Sequence, residues 1–367
     1  MWALLSSSSS AALHIPRTHH SIRTKPPAFP YIIAFNYRLF SSALFESLGS
    51  GRLRDKMTRK QIRDDMRGKS TEDATSISDG PLSIRVITHN IRYATQYPFK
   101  GEEPWSTRCP LLCSQLVFNS ENPATFICLQ EVLHSQLMDI LSSLNTSTAT
   151  QSHDSWSYIG VGRDDGKSAG EYSPILYRPR IWHLKRWETR WLSETPTIPS
   201  KGFDASSIRI VTIGHFVHVK TSQNILVMST HLDDQGRQSR RESAKMILER
   251  IRFFSNHDQL STVLLGGDFN SPPDDEAYQV MTTSDSIMED TGAQVPKTKH
   301  YGNEMTFTSF GYVDNKPSRI DFIFCRKGDR VTYQTYAVLA NRFDDGIYLS
   351  DHRACVADVL LEPGQTS

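Results

Sequence analysis

Apolar residues in this chain fall into short runs that stop abruptly on a polar side chain. The first, "SIRVITHNIRYAT", carries Ile84, Val86 and Ile87 and ends at Asn90; the second, "TFICLQEV", stays apolar until Glu131. Runs of about four to eight such residues read as strands, and an unbroken one as a strand buried on both faces. Further strands are expected at "SYIGVG", "SPILYR", "IVTIGHFVHV", "NILVMSTHL", Val263 to Leu265, "RIDFIFC" and "HRACVADVLL". Between them the period changes. Arg241 to Phe254 places Ala244, Ile247, Leu248, Ile251 and Phe254 on one face at helical spacing, which predicts an amphipathic helix packed on a sheet. Helices are also predicted over Arg108 to Asn119, Ser135 to Leu144 and Asp275 to Thr282, the last led by acids that suit a helix N-terminus. Strands alternating with helices predict an α/β fold. Without tandem repeats or an internal boundary, one domain is expected over residues 82–362.

Composition narrows the class. With 22% charged and 38% hydrophobic residues the chain has an ordinary globular make-up, and a net charge of +1 gives no overall pull toward nucleic acid. Of five cysteines, Cys128, Cys325 and Cys355 lie inside apolar runs and are expected to be small buried hydrophobes. Cys109 and Cys113 have no second Cys/His pair to complete a zinc site. Residues 1–45 lack Asp and Glu, carry serines at Ser6 to Ser10, and scatter Arg17, Arg23, Lys25 and Arg38. That composition fits a mitochondrial transit segment, and equally a disordered tail or an extension ahead of a start at Met57. The polar stretch from Gly49 to about Pro81 reads as a linker. Residues 1–81 are thus expected to be leader and linker, and the location mitochondrial if the leader is a transit segment, otherwise cytoplasmic. No apolar stretch approaches the roughly 18 residues of a membrane span.

The chemistry lies where the apolar runs end. Asn90, Glu131, His231, Asp268 with Asn270, Asp321, and Asp351 with His352 all stand at or beside such ends. Sheets of α/β proteins bind ligands beyond the carboxyl ends of their strands, so these side chains should converge. Four carboxylates, two amides and two imidazoles form a hard-oxygen set suited to magnesium or manganese rather than zinc or iron. Crowded carboxylates repel one another, and a divalent cation relieves that repulsion while neutralising a phosphoryl oxygen and helping to generate a nucleophilic water. The implied reaction is hydrolysis of a phosphate ester. Taken alone, "LLGGDFNSPPDD" also allows a blander reading, in which Gly266, Gly267, Asn270, Pro272 and Pro273 are turn residues.

The strings "THN", "LQEV", "STHL", "GGDFNSPP", "RIDFIF" and "SDHR" occur in the order and approximate spacing of the endonuclease/exonuclease/phosphatase superfamily, which the chain resembles over about residues 82–361. That superfamily includes pancreatic-type deoxyribonucleases, apurinic endonucleases, deadenylases, inositol polyphosphate phosphatases and neutral sphingomyelinases. "GVGRDDGKSAGEYSPILYR" followed by "WLSETP" is most similar to a bacterial and fungal branch of metal-dependent hydrolases. The resemblance implies a four-layer α/β sandwich, two facing mixed sheets flanked by helices. It implies Glu131, Asn90 and Asp351 as the metal shell, with Asn90 alternatively touching phosphate. His352 would pair with Asp321 and either activate water or stabilise the transition state. Asp268 would position or deprotonate the water, Asn270 would donate to a phosphate oxygen, and His231 would protonate the leaving oxygen. Arg163, Glu171, Tyr172 and Arg209 are weaker candidates for binding substrate, Arg209 through a second phosphate or, equally, as half of a surface salt bridge.

The reading is a magnesium-dependent phosphoester hydrolase, manganese being the other metal that suits, with a phosphodiesterase or nuclease, 3'-5' exoribonuclease-like, ahead of a phosphatase or phosphodiesterase for small, inositol or lipid-linked phosphates. Nucleic acid is thus a possible substrate, and no partner protein is evident. Lys167, Trp187, Arg190 and Trp191 would serve a nuclease groove, or equally be core and loop anchors. A silent binding module on the same scaffold is the rival of another class, disfavoured because the chain keeps every Glu, Asp-x-Asn and Asp-His position.

Overall fold

The computed structural model describes residues 80–147 and 155–363. The expected leader and linker lie outside these, apart from their last two positions. Two mixed sheets face each other. The first runs in the spatial order β10 (His300–Gly302), β12 (Val331–Val338), β13 (Cys355–Leu361), β1 (Leu82–Asn90), β2 (Thr125–Gln130), β4 (Ile175–Tyr177), β3 (Ser157–Ile159). The second runs β5 (Trp182–Trp191), β6 (Ile210–His218), β7 (Asn224–His231), β8 (Thr262–Asp268), β11 (Asp321–Arg326), β9 (Met288–Asp290). Helices α1 (Trp105–Asn119) and α2 (His134–Ser147) pack on the outside of the first sheet, and α3 (Arg237–His257) and α4 (Glu276–Thr282) on the outside of the second. The short α5 (Thr291–Gln294) follows β9.

The unbroken apolar run of β2 follows from this layering. Phe126 and Cys128 point between the sheets, where they meet Phe216, Val227, Leu264 and Ile323; Ile127 and Leu129 point outward to Leu112, Leu116, Leu137 and Ile140 of α1 and α2. On the other side, Ala244, Ile247 and Ile251 of α3 cover Leu226, Leu265 and Phe322, as the helical spacing predicts. Fully burying one such side chain contributes about 1.5–3 kcal/mol, so three contiguous cores give this sandwich its driving force. Cys128, Cys325 and Cys355 are buried in strands as expected.

Gly266 and Gly267 depart from the turn reading, because both lie within β8. A Cβ on Gly267 would sit 2.5 Å from the Thr230 carbonyl oxygen, and one on Gly266 would lie 3.0 Å from the Cβ atoms of Thr88 and Cys128 in the other sheet. The pair lets strand approach strand and sheet approach sheet beneath Asp268. β5 and β12 are strands that hydrophobic pattern does not reveal. Much of β5 is exposed, through His183, Lys185 and Arg186, and the strand is a sheet edge, where polar residues are normal. Among the described residues no helix is long and apolar enough to cross a membrane.

Candidate active site

Topology alone brings the polar strand ends together. β1 and β2 are parallel and end side by side, placing Asn90 beside Glu131. β7 and β8 are parallel, with His231 in register with Asp268. β11 runs antiparallel to β8 and therefore begins where β8 ends, so Asp321 faces Asp268. β13 is antiparallel to β1, which returns the segment preceding it to the Asn90 end. There Ser350 Oγ donates to the Asn90 carbonyl (2.7 Å) and accepts from the His352 N–H (3.1 Å).

Each side chain is then fixed by its hydrogen bonds. Asn90 Nδ2 donates to Glu131 Oε1 and to Asp268 Oδ2, both at 2.9 Å, while its Oδ1 accepts from the Arg92 N–H at 3.0 Å. Asn90 thus bridges two carboxylates through its nitrogen. Asp321 Oδ2 accepts from His352 Nδ1 at 2.8 Å, and His352 Nε2 lies 3.6 Å from Asp268 Oδ2. Asn270 Nδ2 reaches both His231 Nε2 and the Leu232 carbonyl at 3.0 Å. The Leu232 contact requires an amide N–H there, so His231 Nε2 is an acceptor. Glu131, Asn270 and Arg92 all have φ near +50°, a left-handed backbone unfavourable for Glu and Arg and tolerated by Asn. Such strain persists where surrounding structure enforces it, commonly at functional sites.

Charge is distributed unevenly. Burial disfavours an imidazolium at His352, but Asp321 and Asp268 on either side overcome that and hold its pKa well above the usual range. Burial, with Asp321 nearby, lifts Asp268 to about 7. Burial also raises Asp351, and the Glu131 charge adds to it. His231 is driven the other way: burial, then Arg209 and Arg163, push its pKa well below the ordinary value. A neutral imidazole accepting from Asn270 positions that amide, and does not suit the expected role of proton donor to the leaving oxygen.

Ligand-capable atoms of Asp268, Asp321 and His352 lie within 4.8 Å of one another. There the imidazolium sits between two carboxylates and offsets one of their two charges. Glu131 and Asp351 repel each other, with Arg92 as the neighbouring cation (3.6 Å from Glu131). Oxygen donors carrying unrelieved negative charge fit a divalent cation on that side, in line with Glu131 and Asp351 as expected ligands. Asn90 fits less directly, because its nitrogen faces the carboxylates.

Glu131, His231, Asp268, Asn270, Asp351 and His352 line a cavity of about 660 Å³, with Asn90 and Asp321 behind them. Arg163, Glu171 and Arg209 border it as expected, already paired: Arg163 with Glu171 (2.8 Å), Arg209 with Asp233 (3.2 Å) and Asp234 (2.8 Å). Tyr172 does not. It is buried behind the wall, with its hydroxyl donating to the Lys167 carbonyl, and it braces the loop that carries Arg163 and Glu171. Sequence reasoning missed Arg92, whose guanidinium lies over the rings of Tyr93 and Phe99 at 4.2 and 4.5 Å. Its position two residues past Asn90 was the available signal. Arg240, beside α4 and paired with Asp275 (3.3 Å), and Arg241, paired with Glu276, lie off the cavity.

Comparison with known proteins agrees with this geometry. The model of the Endonuclease/Exonuclease/phosphatase family matches residues 87–352. A solved endonuclease/exonuclease/phosphatase from Bacteroides vulgatus is 31% identical, with a TM-score of 0.66, covering 77% of this chain and 100% of that one. The mannosyl-6-phosphatase of Bacteroides thetaiotaomicron is 29% identical, with a TM-score of 0.64, over 75% of this chain and 99% of that one. The human Nocturnin catalytic domain, 16% identical over 76% and 93%, shares the fold with a TM-score of 0.56. No match was found among curated proteins. With strand-end carboxylates, paired histidines and a family match extending from β1 to His352, the chain belongs to the endonuclease/exonuclease/phosphatase family of phosphoester hydrolases.

Proposed function

We propose that this enzyme is a magnesium-dependent phosphatase that hydrolyses small phosphomonoesters. The observation that carries it is the juxtaposition of Glu131 and Asp351 with Asp268 and His352 at one cavity, His352 being backed by buried Asp321. Glu131 and Asp351 would hold the cation, which when bound neutralises phosphoryl oxygens. Asp268, its proton affinity raised by burial, accepts a proton from the attacking water. The water oxygen bonds to phosphorus as the bond from phosphorus to the alcohol oxygen breaks; the alcohol then takes a proton from solvent. His352, kept cationic by Asp321, stabilises charge on the transferring phosphoryl group. A phosphate oxygen replaces His231 Nε2 as acceptor from Asn270, and His231 keeps that amide in place until then.

Among the substrate classes expected from the sequence, small phosphomonoesters gain support over polynucleotides. Trp187, Arg190, Trp191 and Lys167 do not line the cavity; Arg190 pairs with Glu188 (3.0 Å), and Trp191 Nε1 donates to the Arg163 carbonyl (2.7 Å). The mannosyl-6-phosphatase, similar over nearly its whole length, supports the same side. A nuclease ranks second, favoured by Phe99, Tyr312 and Lys100 at the cavity, since bases stack on such rings.

Rates on p-nitrophenyl phosphate and bis-p-nitrophenyl phosphate, with magnesium and with chelator, separate the readings. Monoester preference abolished by chelator is expected, and chelator-insensitive turnover would sink the mechanism. Glu131→Ala and His352→Ala should each remove most turnover without unfolding the domain; near-normal rates in both would overturn the site.

A further inference from the structure

The cavity is far larger than a phosphoryl group, and its wall beside His231 has a distinctive make-up. Arg163 Nη1 donates to Glu171 Oε2 at 2.8 Å, and Arg209 Nη2 donates to Asp234 Oδ1 at 2.8 Å. Arg209 Nε is taken by Asp233 Oδ2 at 3.2 Å. The Arg163, Glu171 and Arg209 side chains are at least four-fifths buried, and that of Asp234 is 45% exposed. Two guanidinium groups are therefore matched by carboxylates before any substrate arrives. A second phosphate at this wall would meet guanidinium groups whose donors are already taken by Glu171, Asp233 and Asp234. A flat apolar base would cover them without satisfying them, at the cost of desolvating polar groups. A hydroxyl is donor and acceptor at once, so it fits between a carboxylate and a guanidinium of one pair. The remaining border supplies aromatic rings, Tyr93, Phe99, Phe307 and Tyr312, with Phe99 58% exposed. Rings of that kind cover the C–H face of a saturated ring while the polar wall takes its edge.

We infer that the alcohol released here is a carbohydrate of about hexose size, whose hydroxyls bridge the Arg163–Glu171 and Arg209–Asp234 pairs beside His231. The inference rests on the phosphatase reading above and specifies the alcohol half of its substrate. It makes the two ion pairs specificity determinants, and it sets aside the second-phosphate contact expected for Arg209.

The test uses the full chain with magnesium and compares kcat/KM for glucose 6-phosphate, mannose 6-phosphate, adenosine 5'-monophosphate and p-nitrophenyl phosphate. At least one hexose phosphate should exceed the nucleotide and the aryl ester. Asp234→Asn, at a partly exposed side chain, and Glu171→Gln each weaken an acceptor of hydroxyl protons. Each should lower kcat/KM on the preferred hexose phosphate about 10–100-fold, and by at least about tenfold more than on p-nitrophenyl phosphate. Preference for the nucleotide, or an unchanged hexose-to-aryl ratio in both variants, would overturn the inference while leaving the phosphatase reading intact. Failure to hydrolyse any of the four esters would overturn both.

Discussion

Asp268 and Asp321 are register partners across the β8–β11 ladder, one ending its strand and the other beginning its own, and His352 lies against both. A slip of one residue in that ladder would send one carboxylate to the opposite face. The antiparallel pairing, rather than a flexible loop, therefore fixes the spacing of the two acids. Because Asp321 binds Nδ1, the imidazole presents Nε2 toward Asp268 and the cavity.

Asp321→Asn keeps the shape of that contact and removes its charge. The Asp321 carboxylate is the nearest support for the His352 imidazolium, so its loss should lower the histidine pKa and reduce kcat by about 10²–10⁴-fold. The limb of the pH–rate profile belonging to His352 should move to lower pH. The substitution also strips the buried imidazolium of its nearest counter-charge and places an amide NH2 where Asp321 Oδ1 has no hydrogen-bond partner, so thermal stability in chelator should fall. An unmoved limb with near-normal kcat would remove Asp321 from the mechanism.

The raised carboxyls of the chelated protein should contribute less stability as pH rises, against the opposite trend of buried, neutral His231. Asp268 and Glu171 are each lifted to about 7, chiefly by burial, and Asp351 is raised as well. A carboxyl whose folded pKa exceeds its unfolded value of about 4 contributes stability below that value and loses it as pH climbs through the folded pKa. The window is therefore about pH 4 to 7, and the loss is on the order of a few kcal/mol. Magnesium should reverse it by favouring the ionised carboxylates, releasing protons as it binds. Calorimetric titration near pH 6 in two buffers of different ionisation enthalpy measures that release; equal heats, with a Tm flat from pH 5 to 8, would contradict the charge distribution.

How far the sequence discloses this molecule depends on what burial does to each residue. Strands with both faces covered, such as β2 and β8, show as apolar runs, and the polar residues at their ends, Glu131 and Asp268, were legible as site candidates for that reason. β5 was not, because an edge strand with exposed His183, Lys185 and Arg186 has no apolar period. The left-handed backbone at Glu131 and Arg92 was invisible too, since neither residue type advertises it. The partners were also hidden: the sequence leaves Arg209 open between a second phosphate and a salt bridge, and only the fold sets Asp233 and Asp234 against it.

Gly267→Ala tests the close approach under the site. The added methyl group would lie 2.5 Å from the Thr230 carbonyl oxygen, which is backbone and cannot swing aside. Overpacking of this kind costs about 1–3 kcal/mol. A lowered denaturant midpoint is expected, with kcat reduced because β7 and β8 carry His231 and Asp268 in register. A midpoint equal to that of the parent would show that the ladder has slack there.

Arg108 offers the longest-range test, because it ties two site-bearing segments without touching the cavity. It is fully buried in the first turn of α1, with Nη1 donating to the Ile91 (2.9 Å) and Leu349 (2.7 Å) carbonyls. Nη2 donates to the Arg92 carbonyl (3.1 Å) and Nε to that of Glu103 (3.0 Å). The strand end carrying Asn90 is thereby locked to the segment carrying Asp351 and His352. Arg108→Met keeps much of the volume but leaves four backbone carbonyls without their side-chain donor, while Glu102 keeps Arg92, at a cost on the order of a few kcal/mol. Arg108→Lys restores the charge, yet a single ammonium cannot span four carbonyls in the planar fork of a guanidinium. Both variants should therefore lose kcat when assayed well below their own Tm, Lys nearly as much as Met. Full recovery of kcat by Lys would mean that charge alone matters at this position, and the two segments would need another tether.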